Sequence, residues 1–373
     1  MNTMKLMTSA YWRRALWAAV TTIFAVATSG AAAKEYLVTS LHSNTMVLVD
    51  AKARKVEKTF PLPSAPGNTP ATLVPSPDGK VIYVLHNRWE TVSGIDLDSG
   101  KEVFRADLSQ KGLRAKSTFA FAVSPDGKEI AIFVLPVKLL SGEYQVQDTY
   151  IAVYDASAGL AAKPIRTFPA PRRTTLMGYS PDGTRLYVMS WDIIVMDPKD
   201  GRVIGKHLVR HWERKNFGEP DTLAVWPLWG SSNVYTFPYG APRTDRKPDA
   251  PDAMKSGIYT LDMATDKSSY KEFENSSVVL FSAAINPVRR KEAYSVYTTL
   301  SRIDIDKGKL LKRIDLEQTY YVVQVSNDGK ELYLGGAGST IAIHDSTTLK
   351  RLGTVQLPGG ADQATATMRY FTR

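Results

Sequence analysis

His207 and His211 stand four residues apart, the spacing that lets two imidazoles on one helical face share a metal ion. The sequence around them does not read as a helix. His207 closes an apolar, strand-like run, and His211 falls in a polar loop, so a metal pair is not expected. The other histidines, His42, His86 and His344, are scattered. There is no cysteine in the chain, so it has no thiol nucleophile, no Cys-ligated zinc or iron–sulfur cluster and no covalent haem attachment of its own. "GGAGST" at 335–340 has the glycines of a phosphate loop but lacks the lysine and the following helix. Neither G-x-S-x-G nor H-E-x-x-H occurs. The expectation is a chain without catalytic, metal or cofactor-binding residues, whose recognition chemistry rests on aromatic and arginine side chains.

The elements that must position those side chains are repeats. "PSPDGKVIYV" (75–84), "VSPDGKEIAIF" (123–133) and "YSPDGTRLYV" (179–188) each read as strand, tight turn, strand, and "VSNDGKELYL" (325–334) is a looser copy. Pro and Asp favour the turn and Gly accepts its positive φ. A second hairpin, with an Asp at its turn, interleaves with the first. Its seven aspartates are Asp50, Asp96, Asp155, Asp197, Asp262, Asp304 and Asp345, spaced 41 to 65 residues apart, which is the period of propeller blades. These aspartates are read as capping their own turns.

Each repeat is therefore four short strands, A to D. Seven A strands are expected, at about 71–76, 118–124, 174–180, 221–227, 281–286, 321–326 and 364–371. The chain begins instead on a B strand at Tyr36, free to pair with the last A strand. The fold class is all-β: a seven-bladed β-propeller of four-stranded antiparallel blades, its ring closed by N- and C-terminal strands.

In such a blade the A–B and C–D turns share one face, and the B–C and D–A loops share the other. The substantial insertions, 135–149, 209–221 and 238–257, all belong to the second set. That elaborated face also receives Trp89, Arg172, Arg173, Trp191, Trp212, Tyr320 and Tyr321. These residue types anchor protein interfaces, so they are the candidate partner-binding or pocket residues. The alternative is that they pack rim loops onto blades.

The first residues form a different kind of segment. Lys5, Arg13 and Arg14 precede an apolar run from Ala15 to about Ala27, and small residues end it at 29–33. This is the pattern of a secretory signal peptide, with cleavage expected near Ala33 and no membrane attachment afterwards; the rival reading, an uncleaved membrane anchor, is disfavoured because the apolar run is short for a span and ends in "SGAAA". Residues 34–373 then form a single propeller domain. The leader holds three of the positive charges and no negative one, which leaves +7 of the formal +10. No Lys/Arg run is dense enough to argue for nucleic acid.

The SPDG hairpins followed by "YV" strands resemble the broad class of seven-bladed YVTN-like propellers. More specifically, the chain resembles the β subunit of bacterial quinohemoprotein amine dehydrogenase. The features that carry this are "ALWAAV" and "AAAKEYLVTS" near the start, "FAVSPDGKEIAIFVLPVKL" (121–139), "EPDTLAVWP" (219–227), "TYYVVQVSNDGKELYLGGA" (319–337) and the terminal "MRYFTR". The resemblance implies a periplasmic heterotrimer that oxidises primary amines. A dihaem cytochrome c subunit would carry haem c, and a small subunit would carry cysteine tryptophylquinone. The propeller would hold no cofactor, dock the small subunit and help wall the substrate pocket. The alternatives are a stand-alone lactonase-like enzyme working in the central channel and an exported interaction scaffold. The first of these needs titratable groups on the channel strands, which read as mostly apolar "ATLVP", "TFAFAV" and "YYVVQV".

Overall fold

The computed structural model describes residues 33–42, 44–64, 70–275, 278–363 and 368–373. The expected leader lies outside these residues apart from Ala33. Within Lys34–Arg373, seven small antiparallel sheets form a ring, with almost no helix. Blades 1 to 6 run along the chain from inner strands Leu73–Pro75, Phe121–Val123, Leu176–Tyr179, Asp221–Thr222, Ser282–Ile285 and Val322–Val325. Blade 7 is composite. Glu35–Leu41, Thr45–Asp50 and Lys55–Pro61 come from the start of the domain, and Arg369–Thr372 supplies the inner strand from its end. The register runs from Glu35 opposite Thr372 to Val38 opposite Arg369. The expected closing strand at 364–371 thus has its observed part at Arg369–Thr372, and 364–367 lie outside the described residues.

Local chemistry explains the hairpins. In the SPDG turn of blade 2, the Ser124 hydroxyl donates to Asp126 Oδ1 at 2.6 Å and accepts the Glu129 N–H at 2.9 Å. Asp126 Oδ1 also accepts the Lys128 N–H, and Gly127 takes φ +73°. Ser76, Ser180 and Ser326 repeat this arrangement. The seven Asp turns are equally regular, each aspartate accepting backbone N–H bonds from residues two or three ahead. Such side chains stand in for the ladder bonds that a reversing chain gives up.

Blades adhere through the apolar faces of their strands, and inner-strand hydroxyls add a directional link. Thr72 donates to the Phe119 carbonyl, Thr118 to that of Thr174 and Thr175 to that of Ala224, tying blades 1 to 4 together.

Two expectations need correction. The segments 135–149 and 238–257 are not simply loops. Blade 2's second strand runs from Glu129 to Leu139 and pairs with both Leu113–Lys116 and Tyr144–Val146. In blade 4, Val234–Pro242 and Met254–Asp262 form an overlong hairpin. Backbone pairing carries the ladder beyond the blade, with Val137–Leu139 opposite Tyr144–Val146 and Tyr239–Pro242 opposite Met254–Gly257. The inner strand of blade 4 is also shorter than 221–227. Only Asp221 and Thr222 pair, with Gly240 and Tyr239, before the chain leaves the sheet.

Candidate partner-binding face

The chain that leaves blade 4 after Thr222 crosses the central channel. Trp226 and Leu228 are buried in one cluster with Leu37 and Tyr370 of blade 7 and Val322 and Val325 of blade 6. The Ser231 hydroxyl donates to the Val325 carbonyl at 3.1 Å, and Arg369 of blade 7 donates to the Pro227 carbonyl. On the near side, Trp229 packs on Gly178 of blade 3 and edge-on to Tyr235. The segment 223–231 is thus a bar across the channel. Proline at 227, lacking an N–H, suits a chain that has left the ladder.

Rings gather around Trp226. Its indole stacks on Phe281 at 5.8 Å between centroids and lies 6.3 Å from Tyr321. Phe281 in turn stacks on Tyr297 at 3.8 Å and on Tyr321 at 5.1 Å. Phe281 and Tyr321 each immediately precede an inner strand, and Tyr297 sits in the B–C turn of blade 5, so the stack lines the channel mouth on the elaborated face. Phe281, Tyr297 and Tyr321 remain half-buried. Beside them a groove of about 480 Å³ is lined by Leu223, Pro238, Met254, Val278, Val279 and Phe281. Val279 is 56% exposed. A wider depression of about 680 Å³ lies on the opposite face, but Asp78, Asp126 and Asp155 in its lining are already engaged by their own turns.

A second feature of the elaborated face is Trp191, 45% exposed and flanked by two guanidinium groups. Arg173 lies 3.8 Å and Arg210 4.3 Å from its ring centroid. Burial, with a further contribution from the charge of Arg210, holds the Arg173 pKa below its ordinary value. Arg210 pairs with Glu219 at 2.6 Å, and Arg173 donates to the Ser190 carbonyl. The adjacent Arg172 is exposed and donates to the Gln147 carbonyl of the blade 2 extension.

The remaining candidates are internal or partly so. Trp212 is 8% exposed: its Nε1 donates to the Gly218 carbonyl at 2.8 Å, and Phe217, Tyr239 and Tyr270 surround its ring. It is the core of the 209–221 loop, not an exposed anchor. Tyr320 is fully buried, with its hydroxyl on Glu317, so of the pair only Tyr321 reaches the mouth. Trp89 is half-buried against Phe119 with φ +67°. Trp89, Arg172, Arg173, Trp191 and Tyr321 therefore keep surface on this face, whereas Trp212 and Tyr320 are packing residues.

The 209–221 loop is fastened by Asp192. That buried carboxylate accepts N–H bonds from Val209 and His211, the His211 ring at 2.8 Å and the Lys206 ammonium at 2.7 Å. Burial alone would raise its pKa, but these partners outweigh it and hold the group well below the usual carboxylate range. His207 bonds elsewhere, to Asp266 at 2.8 Å and Ser268 at 3.0 Å. The two histidines therefore serve different carboxylates. Among the described residues no His, Cys, Asp and Glu side chains converge as a metal site.

Sequence reasoning missed Phe281, Tyr297 and the crossing of 223–231. A signal existed in the Trp-Pro-x-Trp run at 226–229, whose two large rings and proline suit a bar better than a ladder strand.

No family model and no curated protein matches the sequence. Solved structures do resemble the fold. A chain of hydrazine synthase from Kuenenia stuttgartiensis is 15% identical, with a TM-score of 0.52 over 84% of this chain and 90% of that one. Apo AztD from Citrobacter koseri is 14% identical, with a TM-score of 0.54 over 91% and 98%. A functionally unknown protein from Desulfotomaculum acetoxidans is 11% identical, with a TM-score of 0.56 over 90% and 98%. At these identities the likeness is one of fold.

Proposed function

We propose that this chain is the cofactor-free propeller subunit of an exported, periplasmic quinohemoprotein amine dehydrogenase, an oxidoreductase complex acting on primary amines. Its elaborated face docks a small subunit bearing cysteine tryptophylquinone, and a dihaem cytochrome c completes the heterotrimer. The observation that carries this reading is the aromatic mouth: a half-buried stack of Phe281, Tyr297 and Tyr321 over a channel barred by Trp226. Rings of this kind offer large, rigid contact area and leave no charge facing a docked partner. Against a redox group carried by that partner they supply a dry wall, and the partner's quinone supplies the oxidation. The bar also speaks against the lactonase-like alternative, because it interrupts the through-channel along which such an enzyme would admit substrate.

The reading is tested by gentle purification of the protein from its native source. Co-elution with a c-type cytochrome and a small quinone-bearing chain is expected, with haem reduction on adding a primary amine. A lone, colourless chain would sink it.

A further inference from the structure

Arg369 belongs to the innermost strand of blade 7, yet it is 8% exposed. It pairs with Val38, three residues inward from Leu41, where the neighbouring strand reaches the mouth, so it sits well within the channel. Its Nη1 donates to the Pro227 carbonyl, and its guanidinium carbon lies 5.7 Å from the Trp229 ring centroid. Several other partly buried arginines here face carboxylates: Arg166 meets Glu129, Arg214 meets Glu272, Arg302 meets Glu292 and Arg313 meets Glu274, whereas Arg173 on the rim has only a carbonyl and the Trp191 ring. Arg369 has no ion pair among the described residues. Burial pushes its pKa down to about 10, with no neighbouring charge to offset the fall.

A guanidinium taken out of water without a counter-charge is strongly destabilising, and the Trp229 ring offsets only part of that cost. Fastening the bar does not require that charge, since a neutral amide can bridge two strands. Gln324 on the adjacent inner strand does so, donating Nε2 to the Met368 carbonyl at 2.8 Å. Pro227 engages a single guanidinium nitrogen of a group that carries five N–H donors in a planar fork. Such a fork matches the two oxygens of a carboxylate. We propose that the channel beside the 223–231 bar is a binding site for a small organic carboxylate, held by the Nε and Nη2 side of Arg369. The site does not depend on the amine dehydrogenase reading.

The test is isothermal titration of the full chain with sodium acetate and, separately, with inorganic phosphate at constant ionic strength. The expected result is saturable one-to-one acetate binding, weakened at least tenfold in Arg369→Gln and less in Arg369→Lys, which keeps the charge but not the fork. A purely structural latch would instead lower the melting temperature of Arg369→Gln with no acetate dependence in either protein. Absence of saturable acetate binding to the unaltered chain, equal binding by Arg369→Gln, or tighter binding of phosphate than of acetate would each overturn the proposal. If Arg369→Gln does not fold, the unaltered chain and Arg369→Lys still decide it.

Discussion

Residue type alone does not separate a docking ring from a packing ring. Trp212 and Tyr321 both read as anchors in the sequence, yet one is enclosed by three aromatic rings and the other borders the channel mouth. The difference is tertiary: Trp212 is covered because the 209–221 loop folds over blade 4, which no local pattern announces. The two should therefore fail differently. Tyr321→Ala is expected to weaken assembly with the proposed small subunit by about 1–3 kcal/mol with little change in melting, as for an interface anchor. Trp212→Ala should destabilise the chain itself by about 3–5 kcal/mol, the range for emptying a large buried site. Titration of assembly alongside thermal unfolding separates them, and unchanged affinity in Tyr321→Ala would remove that ring from the interface. Asp192 gives a pH signature. Its folded pKa lies below the unfolded value of 3.8, so its contribution is fully present above that value and is lost as pH falls below it. The melting difference between the unaltered chain and Asp192→Asn should be flat from neutral pH down to about 5 and shrink below 3.8. A difference that grows on acidification would contradict the proposed fastening of the loop.

At the scale of the element, what could be read was what is locally encoded. Ser124, Asp126 and Gly127 specify their turn through bonds within a few residues, so the hairpins and their order around the ring were legible. The inner strand of blade 4 was not. "DTLAVWP" alternates acceptably as a strand, but burial of Trp226 and Leu228 against blades 6 and 7 draws the chain out of its ladder, and that gain comes from residues far away in sequence. The aromatic mouth was illegible for the same reason, since Phe281, Tyr297 and Tyr321 meet only when neighbouring blades close. The turns offer a contrast to mutations at the mouth. Gly127 takes φ +73° and lies against Pro77 of the preceding turn, where a built Cβ would sit 3.5 Å from the proline Cδ. Space is adequate, so conformation decides: a β-branched residue at positive φ is strained. Gly127→Val is expected to lose about 1–2 kcal/mol of stability while keeping partner affinity. Normal melting with lost partners would invert the assignment of the two faces.

For the whole molecule the decisive contact joins its ends. Six blades are continuous in sequence, and the seventh exists only because Arg369–Thr372 returns to Glu35–Leu41. The seam is reinforced: Lys34 and Arg373 exchange backbone bonds at 2.8 and 3.0 Å, Tyr370 stacks on Tyr333 of blade 6, and Arg373 pairs with Asp98 of blade 1. Without the last strand, Glu35–Val38 would expose unpaired N–H and C=O groups on an apolar strand, an edge that recruits other chains. Loss would not stay local, because blades 6 and 1 would each lose the part of the neighbouring surface that the last strand supplies, Tyr370 against Tyr333 and Arg373 against Asp98. Truncation after Met368 should therefore lower the melting temperature and broaden the transition, with the chain running as dimers or larger species on size exclusion. The effect should exceed that of Arg369→Gln, which leaves the ladder intact and alters one side chain. A truncated chain that stays monomeric and melts like the full one would show that the ring is held by blade-to-blade packing alone, with the seam incidental.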